Sequence, residues 1–195
     1  MNKMKQLIKS LESEAVKGKT CIDSFAYREA IGCGSRMVKQ LSKSIKTGSG
    51  KHYLTLEALR MLSIGDYNQV SDETRIGIYT DMMRHAIVFN DWGMPSHGLN
   101  GETARRMIQS GDKALSFLEP LLMERRPATC LGSETATISK EYGNRVCDYA
   151  LAMIREILDE DGDYPYDMNK RDLMIEELRQ RLSLMTFSRH LPGEE

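Results

Sequence analysis

Residues 53–63 read YLTLEALRMLS, with apolar side chains at Tyr53, Leu54, Leu56, Ala58, Leu59, Met61 and Leu62. Wound at 3.6 residues per turn, that set covers nearly the whole circumference. A helix apolar all round is buried on several sides, so other helices must surround it. The stretch therefore asks for an all-α protein in which 53–63 sits near the centre.

The flanking sequence supplies those neighbours. Met4, Leu7, Ile8, Leu11 and Ala15 keep the helical period and predict an amphipathic helix over 3–16, with Gly18 as its stop. Residues 23–31 read as a second helical piece, interrupted by Gly32 and Gly34. Met37, Val38, Leu41 and Ile45 resume the stripe. After Gly65, Ser71 is a good N-cap for a helix over 72–89, with Asp72 and Glu73 in its first turn. Short helices are expected over 101–109 and 112–123. Tyr142, Val146, Ala150, Met153, Ile154 and Ile157 mark a longer one. Asn169 can cap a last helix carrying Leu173, Met174, Leu178, Leu182 and Met185. Residues 128–137 are small and polar, without a clear period. The expectation is about eight helices in antiparallel pairs and no strand, forming one α-helical domain over 1–195. Within it, 1–50 is a basic N-terminal helical segment and 51–195 the helical core.

Composition sets limits. A chain of 195 residues, 41% apolar and 28% charged, can bury a core without a disulfide or metal staple. No apolar run reaches the ~18 residues that span a bilayer. The N-terminus MNKMKQLIKSLESE has lysines but no continuous apolar core. A soluble, cytoplasmic protein is expected, with Cys21, Cys33, Cys130 and Cys147 reduced. Residues 1–60 carry twelve Lys and Arg against five Asp and Glu, whereas the whole chain has a net charge of −1. The basic segment is either one of two solvated faces or a patch for an acidic partner.

Residues 100–158 hold a short helix, the turn Ser110-Gly111-Asp112, the run KALSFLEPLL, and then NRVCDYALAMI. This stretch resembles HEAT-type repeat sequence, in which a Gly/Asp turn separates two apolar helices. There an Arg-Val-x-Asp-x-Ala element, here Arg145, Val146, Asp148 and Ala150, opens the next repeat. The resemblance implies an α-solenoid-like stack or a more irregular helical bundle. Arg145 and Asp148 stand three apart on one helix face, where they can pair with each other or with the preceding repeat. No 34–47-residue period runs through the whole chain.

Each motif that could carry chemistry fails on spacing. GSGK at 48–51 invites a phosphate-loop reading, but position 45, where GxxxxGK[ST] needs Gly, is Ile, and position 52 is His. A flexible linker is the better reading. The acidic loop with Asp159, Asp161, Asp163 and Asp167 fails as an EF-hand: Gly162 falls at position four, and Lys170 falls where a bidentate Glu is required. His52, His85, His97 and His190 show no metal-ligand spacing, so no metal or other cofactor is expected. Cys33, between two glycines, is the best candidate for a reactive thiol, yet no base stands at a recognisable spacing. Lys39, Lys43, Lys46 and Lys51 with Tyr53 could form a basic strip. It is sparse for nucleic acid, and an isoelectric point near 6.5 argues against that partner.

Two groups remain. In the Gly/Pro-rich loop 90–98, Asp91, Trp92 and His97 could build a ligand or catalytic pocket, with His97 as base and Asp91 as its orienter. Alternatively Trp92 is a packing anchor. In the acidic loop, Asp159, Asp161 and Asp163 beside Tyr164 and Tyr166 suggest a binding epitope with aromatic anchors. The expected function is a non-catalytic protein-binding module, in concrete form a bacterial inhibitory or immunity protein that neutralises a partner protein. The alternative is a small enzyme or ligand-binding protein using the Asp91/Trp92/His97 loop. Oligomeric state is left open.

Overall fold

Helix α4, Tyr53–Leu62, occupies the position that its sequence demands. All seven residues from Tyr53 to Leu59 are buried, including Thr55 and Glu57. The computed structural model describes residues 3–160 and 162–189. Among these residues the chain is all-α, with eleven α-helices and five short 3-10 segments. There is no strand, only the isolated bridges Val88–Thr129 and Pro127–Arg145.

Around α4 pack α1 (Lys3–Val16), α2 (Phe25–Gly32), α3 (Val38–Ser44), α5 (Ile64–Gln69) and α6 (Asp72–His85). Leu7, Leu11, Ala26, Ala30, Met37 and Leu41 join the same continuous apolar core as the later helices, so 1–50 packs on the rest. The second centre is α10, Val146–Ile157, which touches α7 (Glu102–Gln109), α8 (Asp112–Leu118), α11 (Met168–Arg189) and the 3-10 turn Glu119–Met123. Between α8 and α10 lies α9, Ser133–Tyr142.

The helices outnumber the expected eight because polar caps and a proline divide the longer stretches. Ser63 ends α4 and accepts a hydrogen bond from Asp66 N, which starts α5 at once. Pro120 lacks the N–H that α8 would need, and the chain tightens into 3-10 geometry from Glu119. Helix α6 stops at His85, short of 89, because Ile87 N donates to Gly18 O. There Arg126 also donates to the carbonyls of Met83, Arg84 and Ala86 at 2.8–3.0 Å.

The GSGK stretch is a crossing point, not a linker. Gly48 lies against Gly77 of α6, and a Cβ on Gly50 would stand 2.7 Å from Met82 N. Asp81 accepts from Gly50 N at 2.6 Å. Tyr53, expected beside a surface lysine strip, is fully buried, so no such aromatic faces solvent.

A second crossing shapes the loop 93–101. A Cβ on Gly101 would meet Trp92 C at 2.2 Å and Gly93 N at 2.3 Å, and Gly93 itself has φ +78°. The loop's two ends therefore touch backbone to backbone. Because these neighbours are main chain and cannot swing away, Gly101→Ala should cost about 3 kcal/mol or more. By contrast Gly65, with open space around it, should accept Ala with no loss or a gain of up to about 1 kcal/mol. Urea unfolding of the two variants measures the difference.

Candidate functional site

The structure separates the Asp91/Trp92/His97 group. Trp92 is fully buried, stacked on Tyr53 at 5.9 Å and tilted against Phe89 at 5.2 Å. Asp91 Oδ2 accepts from Tyr53 Oη at 2.5 Å and from Cys21 N at 3.2 Å. Trp92 is thus committed to the interior, while the partly buried Asp91 is engaged by Tyr53 and Cys21. His97 alone is exposed, with Nδ1 2.9 Å from Ser96 Oγ. It shares no hydrogen bond or ion pair with Asp91, so the base-and-orienter pair does not form.

What the fold does bring together is the tip of that loop and the acidic loop. Pro95, Gly98 and Leu99 form one wall of a cleft of 230 Å³. The facing walls come from Ala152, Arg155 and Glu156 of α10 and from Asp159, Glu160 and Tyr164 beyond it. Asp159 turns the chain at the end of α10 with φ +55°, a conformation that Asp tolerates better than most residues. Glu160 is neutralised by Arg155 at 3.8 Å and by Arg181. Glu156 and Asp159 have no cationic partner among the described residues, nor has exposed Asp163. The cleft is therefore anionic, and its charge is available. Tyr166 is 63% exposed, braced edge-on against Tyr142 at 4.9 Å. Asp161 lies outside the described residues, as does His190.

Behind the cleft sits a buried ionic cluster. Arg145 grips Asp148 side-on, Nε to Oδ2 at 3.0 Å and Nη2 to Oδ1 at 2.9 Å, and Asp148 Oδ2 also accepts from Arg145 N. Arg145 and Asp148 do pair, as their spacing of three residues allows. Arg171, fully buried, reaches Asp148 Oδ2 at 2.9 Å, Tyr142 O at 2.5 Å and Tyr164 Oη at 2.9 Å. Asp172 closes the ring to Arg145 and Arg125. The Arg145 hydrogen bond holds the Asp172 carboxyl below the usual carboxylate range. Burial pushes the Tyr164 phenol well above its ordinary value, so it stays protonated on the cleft wall. Arg171 carries no periodicity signal, which is why sequence reasoning missed it.

A second polar seam surrounds Glu57. Tyr79 Oη donates to its Oε1 at 2.8 Å, while Arg60 Nε and Arg106 Nη2 hold Oε2 at 3.2 and 3.1 Å. The signal was present: one carboxylate within a helix apolar all round has to find cations. This seam floors a groove of 460 Å³ lined by Arg60, Tyr67, Arg75, Arg106 and Lys113.

Two of the four thiols are shifted by their surroundings. Burial raises the Cys21 thiol well above its ordinary value, with Glu57 and Asp91 adding to it. Burial likewise pushes Cys147 up to about 11. Both shifts run opposite to what a nucleophilic thiol needs. Cys33 is half-buried at the end of α2. Among the described residues no three His, Cys, Asp or Glu side chains cluster as a metal site, and no helix is long and apolar enough to cross a membrane. Comparison with protein families, curated proteins and solved structures finds no match for the chain.

Removing one partner of a buried ion cluster leaves uncompensated charge, so Asp148→Ala should cost about 3–5 kcal/mol. Asp72 pairs with Arg75 and Lys113 near the surface. Its replacement by Ala should cost no more than about 1 kcal/mol. Equilibrium denaturation of both variants at pH 7 tests this.

Proposed function

We propose that the chain is a non-catalytic protein-binding module whose acidic cleft receives a basic segment of a partner protein. The observation that carries this reading is the convergence of the 95–99 loop and the 156–164 stretch on one cleft, with unpaired carboxylates on its wall. Such a surface attracts Lys and Arg side chains before contact and speeds encounter. Tyr164 and Tyr166 supply the aromatic area that dominates binding energy in most interfaces. Tyr164 is pre-positioned by Arg171, which lowers the cost of ordering it on binding.

The finer form of the proposal is an inhibitory protein of the immunity type, which neutralises a partner by covering its working surface. Two features support it: the catalytic set that the loop 90–98 could have held is dismantled by burial, and every thiol with a resolved shift moves away from reactivity. The same reading takes the helical pairs of 100–158 as HEAT-like, a form that presents broad surfaces without catalytic groups.

The test is affinity capture from the native cell with the wild-type chain and with Glu156→Lys, Asp159→Lys and Asp163→Lys combined. The wild type should retain one stoichiometric protein with a basic surface, released as salt rises. The triple variant should lose it, and the distant Lys39→Glu should keep it. The partner's own activity should fall in the complex. Retention by the triple variant, or no stoichiometric protein at all, rules the reading out.

A further inference from the structure

The turn between α1 and α2 carries large apolar side chains that the core does not use. Val16 ends α1 and is 66% exposed, Ile22 is 58% exposed, and Phe25, the first residue of α2, is 66% exposed. Ile87 joins them at 62%: its N–H donates to Gly18 O, and a Cβ on Gly18 would stand 2.9 Å from its Cγ1. A lone exposed apolar residue is ordinary on a protein surface. Four gathered at one turn, each more than half clear of the body, make a contact site.

The charge available around this patch has one sign. Lys17, Arg28 and Arg84 are exposed and have no carboxylate partner among the described residues. Asp23, the carboxylate of the turn, is engaged by Thr20 N at 2.6 Å and Thr20 Oγ1 at 3.3 Å. The cationic surface runs on along α1. Lys5, Lys9 and Val16 are spaced close to whole helical turns and are all exposed, so they share one stripe. Neither lysine has a carboxylate partner among the described residues, and Glu12 beside that stripe is turned to His52, 3.4 Å from its Nδ1. The excess of cations over 1–60 therefore stands in solvent next to an apolar wedge.

We propose that this face is a peripheral docking surface for an anionic lipid bilayer. Phe25, Ile22, Val16 and Ile87 enter the headgroup boundary, while Lys17, Arg28, Arg84 and the α1 lysines face the anionic headgroups. An apolar face rimmed by lysine and arginine binds at such an interface through both terms together. A nucleic-acid duplex offers phosphates to the same cations, but no apolar layer for three aliphatic side chains. A partner helix needs a groove, whereas these side chains project. The contact is peripheral and involves no span. It is independent of the acidic cleft and of any partner protein held there.

Co-sedimentation of the full chain with phosphatidylcholine vesicles, with and without phosphatidylserine, tests the proposal. The chain should pellet with the mixed vesicles and stay in solution beside the neutral ones, and rising salt should weaken binding. Ile22→Ser combined with Phe25→Ser should lower the affinity about tenfold or more, through lost apolar insertion. Lys17→Glu combined with Arg28→Glu should lower it about a hundredfold, since attraction becomes repulsion. Lys170→Glu on α11, which packs on α10, should leave it unchanged. The substituted side chains are exposed, so each variant should keep its helical circular dichroism. If one pair does not, the other decides alone. No binding to the mixed vesicles, equal binding to the neutral ones, undiminished binding in either double variant, or tighter binding to duplex DNA than to the mixed vesicles overturns the proposal.

Discussion

The rest of the structure depends on a row of buried rings. Tyr79 of α6 meets Tyr53 of α4 edge-on at 6.2 Å, Tyr53 stacks on Trp92, Trp92 meets Phe89, and Phe89 meets Tyr149 of α10 at 4.9 Å. Each ring carries a large apolar area, and paired rings gain about 0.5–1.5 kcal/mol beyond that area. The row joins the two helical centres, α4 and α10, through the segment 89–93. Its phenols then fix that segment's height: Tyr53 Oη donates to Asp91, and Tyr149 Oη donates to Gly93 O at 2.9 Å. With residues 91–93 held from both sides and Gly101 pressed against them, the tip 95–99 has one place to go. That place is the wall of the acidic cleft.

The chain buries an unusual amount of charge for so ordinary a composition. Glu57, Asp148 and Arg171 are all nearly inaccessible. Buried ion pairs seldom add stability over apolar packing of the same volume, because desolvation cancels the attraction. What they do is discriminate, since a shifted helix would strand a charge. Arg171 illustrates it: one guanidinium satisfies Asp148, Tyr142 O, Tyr164 and Asn144 together.

Sequence pattern disclosed the elements that bury apolar stripes and was silent about those that do not. Helices α1, α4 and α10 were legible because Leu7 and Leu11, Tyr53 through Leu59, and Val146 through Ile154 repeat at helical spacing. Helix α9 was not, because SETATISKEY has no apolar stripe and buries one serine. The same cause hid the apolar cavity between α9 and the segment 125–129. The crossings at Gly48, Gly50 and Gly101 depend on missing side chains, which hydropathy does not register, so GSGK read as a linker. Of the candidate site, the acidic loop with Tyr164 and Tyr166 was legible from composition. Its convergence with 95–99 was not, since it follows from the row of rings. Trp92 was read two ways, and burial makes it the anchor.

The two surfaces left by this architecture share one element. Asn144 lines an apolar cavity between α9 and the segment 125–129, and Tyr164 lines the adjacent acidic cleft; both hydrogen-bond to Arg171 Nη1 and to each other. Their arrangement also explains why Arg171 is buried although it costs desolvation. A lysine carries one ammonium, without the planar fork that reaches Asp148, Asn144, Tyr164 and the Tyr142 carbonyl at once. The guanidinium is what ties the wall of the cleft to the floor of the cavity.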